Sequence, residues 1–589
     1  MTRLAGYVAA VRSSIEERDA TLEALSRSLT ALSIVALVVG ILTSSLSLDD
    51  YGLAGGLSTW YWLGLVSLPG AAILEWLRGD RASTRLMVIQ LAAWFVVVWA
   101  TPTLLEGTPR FRTSYVNYGY VDPIVRGNGL DGVRFLYHNW PLFSLLMAGV
   151  VAIGVSPEVL LTIFPLLAFA SYLLVLPVFL IIVAAPSGRL DARAAMDSLR
   201  RPRVVTGSIV VASWLFLVFN WTGQDYFSPQ ALAYLLFLGF LAVLAIGARS
   251  PAGRLSPGLM GVALALFTAI VATHVLTSLY ALAVLGALTL TRLIRPWTFA
   301  VTAIVIFLVW QVTVAAPFYS TYGDRLLDGL LRATTFFESN VADRVAGSPG
   351  HGTVVLLRIV AAGIVFLVGG LAGFVQLRRL RNDAALAFPA VGFMGVAVVT
   401  PISIYGGEAL IRGLLFTLPF VLALVVLAAD LRIVRIAVVG ALLVGAPLHV
   451  FTHFGNELYD YVPPGELEGY RYIAANAPAN VYGGFPAYAY QNTVLLDGRN
   501  ATVARAGTAP SLDDYLAPQD HAWAREDWPM LVAITRGDDA AQRLFRNETT
   551  LLDRARAALA ASDEFELLFE NDDMVIYRWL PPDAAAVAP

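Results

Sequence analysis

Residues 157–184 read PEVLLTIFPLLAFASYLLVLPVFLIIVA, and residues 185–203 continue APSGRLDARAAMDSLRRPR. The first run holds one acid, Glu158, and no arginine. At 1.5 Å per residue it is long enough to cross a hydrocarbon core of roughly 30 Å. The second holds five arginines, from Arg189 to Arg203. Short arginine-rich loops stay on the cytoplasmic side. The pair therefore reads as a membrane span that ends in the cytoplasm, and it sets the direction of every other apolar run.

Outward from it, apolar blocks recur from Leu29 to Phe451. They are expected to form spans at 29–48, 58–77, 84–103, 157–184, 204–220, 229–248, 257–273, 275–291, 297–316, 353–377, 384–403, 411–429 and 433–451. The arginine clusters Arg3–Arg27, Arg78/Arg81/Arg85, Arg189–Arg203, Arg249/Arg254, Arg292/Arg295, Arg378/Arg379/Arg381 and Arg432/Arg435 then fall in alternate loops. Of the 30 arginines before residue 455, 21 lie on that side and 9 on the other, which predicts a cytoplasmic N-terminus. Pro141 to Val155 is also apolar, but a span there would move the five-arginine loop outside. It is read as a helix lying at the outer surface. Residues 257–291 form the shortest pair of spans, and losing one would invert everything downstream.

Composition agrees. Hydrophobic residues make up 57% of the chain and charged residues 14%, with a mean hydropathy of +0.68; soluble domains carry about 25% charged residues. Cysteine is absent, so no disulfide or thiolate metal site is available, and every basic residue other than histidine is arginine. About 28 mostly polar residues precede the first span, too many for the charged end of a signal peptide. Residues 5–27 are expected to form a cytoplasmic amphipathic helix lying on the membrane. After residue 455, 21 acids stand against 10 arginines. Helical stretches (Gly465–Ala475, Thr549–Ala561), strand-like runs (Thr493–Leu496, Met530–Thr535) and a strand–turn–strand over Glu564–Trp579 predict a small α/β domain outside the membrane.

The expected architecture is thus an all-α polytopic membrane bundle of about thirteen transmembrane helices in the plasma membrane, with a C-terminal extracytoplasmic α/β domain. Its parts are a cytoplasmic segment (1–28), a membrane domain (29–454) with an outer loop at 101–156, and the soluble domain (455–589).

That outer loop reads TPTLLEGTPRFRTSYVNYGYVDPIVRGNGLDGVRFLYHNWPLFSLLMAG and is too long for a plain connector. Its many aromatic residues argue against disorder. Glu106 and Asp122 are candidate general bases for an acceptor hydroxyl, and Arg110, Arg112 and His138 are candidate substrate contacts. The alternative is that these charges pair with one another. Asp225 and Tyr226, in NWTGQDYFSPQ, stand at the same face; an interfacial aromatic belt explains them equally. Glu408 and Arg412 open the twelfth span one helical turn apart, either as a phosphate-holding site or as a mutual pair with a snorkelling arginine.

Other signals carry less. His449 and His453 stand four apart with no carboxylate between them and no evident third ligand, so no metal is expected. His274, between two short spans, lines a cavity or caps a bend. No Walker loop, no GxGxxG following a strand and no DxD triplet occurs. No cofactor and no nucleic-acid partner is expected. Asn220, Asn500 and Asn547 open outer-side glycosylation sequons, the first too near the membrane for use.

The order of these features resembles the GT-C superfamily of membrane glycosyltransferases, in particular its protein-mannosyltransferase-like and aminoarabinose-transferase-like branch. The resemblance rests on the long acid-bearing outer loop, the surface helix opened by His138-Asn139-Trp140-Pro141, and the long span running into an arginine-rich loop. Late in the bundle Arg412-Gly-Leu-Leu-Phe-Thr-Leu-Pro419 is similar to an RyLLpllP-like signature, and residues 569–578, FENDDMVIYR, to the final hairpin of the outer domain. The match covers most of the chain from about residue 84. It implies inverting transfer of a sugar from a polyprenyl-phosphate donor to a glycan, lipid-linked glycan or protein acceptor. Glu106 is then the first choice for the base, Asp122 the second, and Arg412 the phosphate holder. Two departures stand out: two extra spans precede the loop, and the acids stand singly rather than as an Asp-Glu pair. The competing reading is a lipid or glycan transporter, or a non-catalytic relative in surface assembly. Against a transporter, there is no clear internal repeat and no acid deep within a span.

Overall fold

The structure is a computed structural model. It describes residues 2–133, 135–185, 203–222, 224–250, 253–320, 323, 345, 347–377, 383–400, 409–476, 479–483, 501–505, 512–516 and 529–580. Three helices open the chain: α1 (Thr2–Thr43), α2 (Thr59–Leu77) and α3 (Thr84–Glu106). The outer loop folds into α4 (Arg112–Tyr118), α5 (Asp122–Val125) and α6 (Leu142–Ala152). The bundle continues with α7 (Pro157–Ala184), α8 (Arg203–Phe219), α9 (Pro229–Arg249), α10 (Pro257–Thr273), α11 (Val275–Leu290) and α12 (Trp297–Val312). It closes with α13 (Pro349–Phe374), α14 (Ala384–Val399), α15 (Ala409–Leu427) and α16 (Arg432–Phe454).

A helix occupies each expected span. Six described stretches are both long and apolar enough to cross a membrane: Glu16–Thr43, Thr84–Glu106, Pro157–Ala184, Pro229–Arg249, Pro349–Phe374 and the one starting at Arg432. With the shorter apolar helices beside them, they make this a multi-pass membrane protein. Helix α6 has 11 residues, about 16 Å, and is too short to cross. Several helices start on the same local rule. Ser156-Pro157, Ser228-Pro229, Ser256-Pro257 and Ser348-Pro349 each place a serine hydroxyl where it accepts a backbone N–H three residues on. The proline follows at the first helical position, where no N–H is needed.

One expectation needs correction. Residues 5–27 do not form a separate helix lying on the membrane: α1 runs unbroken for 42 residues into the first span. No glycine or proline interrupts it between Tyr7 and Val39, and its inner end is held by charge. Arg78, beyond α2, meets Asp19 at 3.0 Å, Glu23 at 2.5 Å and Glu75 at 2.7 Å.

Helices α1 and α2 pack closely because small residues face each other. A Cβ on Gly40 would fall 2.5 Å from the Tyr61 backbone, and Ser33 and Ser67 hydroxyls bond across the seam at 2.6 Å. A Cβ on Gly70 would meet nothing within 4 Å. Gly40→Val is therefore expected to cost about 1–3 kcal/mol through overpacking, with Gly70→Val as the control for helix propensity. Equal melting temperatures for the two variants in detergent would show that close approach does not govern this seam.

Past α16 come α17 (Glu457–Asp460) and α18 (Pro464–Ala475), then a five-stranded sheet with α19 (Leu512–Leu516), α20 (Arg536–Arg546) and α21 (Leu551–Ala560). Its strands are β1 (Ala479–Gly483), β2 (Ala501–Arg505), β3 (Met530–Thr535), β4 (Phe565–Glu570) and β5 (Met574–Trp579), in the order β2-β1-β3-β5-β4. β1 lies parallel to β2 and β3, while β5 runs antiparallel to β3 and β4. Asn571 shapes the β4–β5 turn by accepting the N–H groups of Asp573 and Met574. The expected strand at Thr493–Leu496 lies outside the described residues.

The two faces of the sheet meet different partners. Val532, Val575 and Tyr577 pack on α21 residues Leu552, Ala555 and Leu559. Val481, Leu531 and Ile576 instead share a core with Tyr115, Tyr118 and Phe143 of the outer loop and with Tyr470 of α18. The sheet and the 101–156 loop are thus one packed body.

Where α20 begins, burial lifts the Asp538 carboxyl from 3.8 to about 7, opposed by two Thr535 hydrogen bonds and reinforced by Glu466. Between those values the folded state keeps a proton that the unfolded chain has released, so this contribution to stability is lost as pH rises through the window. Asp538→Asn keeps the capping geometry without the titration. The wild type should lose more melting temperature than the variant between pH 5 and 8; parallel curves would rule this linkage out.

Candidate active site

Two helix ends build the centre of the outer face. Trp99 and Glu106 lie seven residues apart on α3, two turns, and so share a face. His449 and His453 lie four apart on α16, and Glu457 follows four residues later in α17. The loop between α8 and α9 adds Asp225, and the first outer loop adds Arg110.

Glu106 ends α3, and Gly107 stops the helix in the left-handed conformation (φ 70°), its N–H bonding to Thr103 O. The Glu106 side chain is 95% buried by its 5% exposure, yet neither carboxylate oxygen accepts a hydrogen bond among the described residues. Its carboxyl meets that of Glu457 within hydrogen-bond reach, and it lies within electrostatic reach of Arg110 and Asp460. Arg110 cannot neutralise it alone, because its fork is already engaged: Nε donates to Glu457 Oε1 at 2.8 Å and Nη2 to Oε2 at 2.7 Å. The guanidinium also lies over the Phe111 and Phe454 rings.

Deeper in, Trp99 Nε1 donates to Asp225 Oδ2 at 2.5 Å, and His453 Nε2 lies 3.8 Å from the same oxygen. Asp225 Oδ1 has no hydrogen-bond partner among the described residues. Burial pushes the Asp225 carboxyl up, countered by Arg110 and the Trp99 bond. His449 and His453 rings stack with centroids 5.0 Å apart, and His449 Nδ1 lies 3.0 Å from Val218 O. Among the described residues no group of three or more histidine and acidic side chains is arranged to hold a metal ion.

Arg112 is bound elsewhere. Its Nη1 donates to Glu466 Oε2 at 2.5 Å, Nε to Tyr459 O at 3.0 Å and Nη2 to Tyr461 O at 2.6 Å. Glu466 also accepts the Gly537 N–H at 2.8 Å, so Arg112 links the first outer loop to both α18 and α20. Between the two arginines, Phe111 takes φ 68°, a strained state for a bulky residue that costs roughly 1–3 kcal/mol. The ion pairs on either side hold it, and its ring packs on Tyr226 with centroids 5.1 Å apart.

Asp122 opens α5 and pairs with Arg126 one turn later at 2.6 Å. His138 pins the outer loop. Its Nδ1 accepts the Asp131 N–H at 2.9 Å, so the ring proton lies on Nε2, 2.7 Å from Tyr120 O. Burial lowers its pKa, opposed by the Tyr120 bond, in keeping with a neutral ring.

A second polar group surrounds Arg412, whose Nη1 donates to Gln230 Oε1. Glu408, its expected partner, lies outside the described residues. Beside Gln230, a groove of about 370 Å³ runs between α6, α7 and α9, lined almost wholly by apolar side chains such as Phe143, Phe164, Leu167 and Leu232. Tyr172 borders it and donates its hydroxyl to Ala231 O at 2.9 Å.

The structure therefore brings together Glu106, Arg110 and Asp225 and leaves Asp122 and His138 in local loop contacts. Reading the sequence missed Trp99, Glu457, Asp460, Glu466 and Gln230. The acids that follow the last span, Glu457, Asp460 and Glu466, were the available signal, since Arg110 and Arg112 follow α3 as cations in need of partners.

No family model and no curated protein matches the chain. Among solved structures it is similar to ArnT from Cupriavidus metallidurans, in the apo state and bound to undecaprenyl phosphate. In each case the identity is 13%, the TM-score 0.43 and the coverage 85% of this chain and 99% of that chain.

Proposed function

We propose that this membrane protein is a glycosyltransferase that moves a sugar from a polyprenyl-phosphate-linked donor to an acceptor at the outer face. Glu106 acts as the base and Arg412 holds the donor phosphate. The single observation that carries the reading is Glu106 itself: a buried carboxyl at the end of α3, in no ion pair among the described residues and set against the Glu457 carboxyl. In that state it can accept the proton of an acceptor hydroxyl as the hydroxyl attacks the anomeric carbon. Attack opposite the departing phosphate inverts the configuration, and the leaving phosphate takes the bonding pair. Asp122, the alternative base, is tied to Arg126.

Three further features support the reading. The sequence carries its motifs in the order of the GT-C resemblance. The groove between α6, α7 and α9 offers an apolar bed for an isoprenoid chain. Glu106 and Glu457 are buried, which strengthens the charge interactions of the cluster.

The test is transfer of radiolabelled sugar from synthetic polyprenyl-phosphate sugars in membranes with and without the protein. Protein-dependent transfer with inverted product is expected. No transfer from any common sugar donor would remove this reading.

A further inference from the structure

One guanidinium faces several carboxyls at the end of α3. Arg110 lies within electrostatic reach of Glu457, Asp225 and Glu106. Only Glu457 receives both arms of its fork, Nε at 2.8 Å and Nη2 at 2.7 Å. The remaining nitrogen, Nη1, lies 3.4 Å from His453 Nε2. Arg112 and Arg358, the other cations acting on Asp460, are engaged elsewhere. Arg112 pairs with Glu466, and Arg358 donates to Thr452 O and Asn456 Oδ1.

Glu106 therefore meets Glu457 as acceptor against acceptor. Their carboxyls lie within hydrogen-bond reach, yet neither Glu106 oxygen has a donor among the described residues. Two ionised carboxylates at that separation repel, and the contact turns favourable only with a hydrogen between them. The fork decides which of the two carries it. A proton on Glu457 would break a fully buried pairing with a permanent cation. Glu106 has no such pairing to lose. The other groups facing Glu106 are the Asp460 carboxyl and two neutral phenols, Tyr115 of α4 and Tyr461 beyond α17.

Resting on the function proposed above, we infer that Glu457 is a positioning residue for the base and strengthens Glu106 as the group that takes the proton of the attacking hydroxyl. Before transfer the two carboxylates repel. As the hydroxyl oxygen bonds to the anomeric carbon, its proton passes to Glu106, and the new O–H donates to Glu457. The bond from sugar to phosphate breaks with its electron pair left on the phosphate. The carboxyl–carboxylate hydrogen bond forms only as the proton moves, so its energy lowers the barrier instead of tightening the ground state. Glu457 touches neither the donor nor the hydroxyl and stays with Arg110 throughout.

The experiment is the pH profile of sugar transfer by the full chain in membranes, for wild type, Glu457→Gln and Asp460→Asn. Transfer falls at low pH, where Glu106 already holds a proton before the hydroxyl arrives. Glu457→Gln leaves Arg110 an acceptor and removes the opposing charge, so Glu106 is protonated less readily. That limb is expected to move down by about one pH unit or more, with a lower kcat plateau and an unchanged donor KM. Asp460→Asn removes a charge that acts on Glu106 without a hydrogen bond and should move the limb less. A Glu457→Gln limb that stays in place, moves up, or shifts no further than that of Asp460→Asn overturns this inference and leaves the function intact. No transfer by the wild type from any sugar donor, or full transfer by Glu106→Gln, overturns the inference together with the reading it rests on. Infrared difference spectra between low and high pH follow the same proton without turnover. The wild type should show a protonated carboxyl that Glu106→Gln lacks; identical spectra overturn the inference even where Glu457→Gln fails to fold.

Discussion

Glu106→Gln is expected to lower sugar transfer by about 10²–10⁴-fold, the usual contribution of a positioned general base. The substitution keeps shape and burial and removes the one atom that can take the acceptor proton. Stability should move the other way or not at all. Glu106 faces Glu457 and Asp460 and meets the Glu457 carboxyl within hydrogen-bond reach, so loss of its charge relieves repulsion while the Gln amide can donate to Glu457 in its place. An unchanged or higher melting temperature together with collapsed turnover is therefore the signature of a base. Asp122→Asn is expected to change turnover far less, because Asp122 is paired with Arg126 in its own short helix. Should Glu106→Gln retain wild-type turnover while Asp122→Asn abolishes it, the two assignments exchange.

Arg110→Leu carries the largest expected effect on stability, about 3–5 kcal/mol. Arg110 is 3% exposed and Glu457 fully buried, and the two share two hydrogen bonds. Removing the cation leaves Glu457 charged, desolvated and beside two other carboxylates. Arg110→Leu combined with Glu457→Leu should recover much of the loss, since an apolar pair of suitable volume replaces a buried ion pair at little cost. The double-mutant cycle reads the coupling directly, by thermal or denaturant unfolding in detergent. A coupling near zero would show that the pair contributes nothing beyond its separate side chains. Transfer is expected to stay low even in the stable double variant, because Arg110 also fixes the loop that follows Glu106.

The membrane part of the fold was legible residue by residue. Runs such as 157–184 and 229–248 admit no other structure, because a long apolar stretch must satisfy its backbone internally within lipid. The helices opened by Pro157, Pro229 and Pro257 begin where spans were expected, the one opened by Pro349 begins four residues before the expected 353, and the strand-turn-strand at the end follows from alternation and Asn571. The surface helix at 141–155 was legible through charge, since a span there would strand five arginines on the wrong side. The unbroken length of α1 was not, because an amphipathic segment and a helix projecting from a span have the same local pattern.

The site was legible in its acids and not in its pairings. Glu106, Arg110, Asp225 and Arg412 stand out as charges beside apolar runs, and that much follows from the cost of burying a charge. Which charge meets which depends on residues separated by 347 positions, as with Arg110 and Glu457, or 126, as with Trp99 and Asp225. Spacing carries no such information, because a side chain's partner is set by where whole helices cross. Amino-acid order alone determined the spans, their starts and the supply of charges at the outer face. Only tertiary structure decided that Arg110 and Arg112 go to Glu457 and Glu466, leaving Glu106 set against the Glu457 carboxyl with no ion pair of its own among the described residues. The physical reason is that local rules act over one or two helical turns, whereas pairing energy is realised only after distant helices have packed.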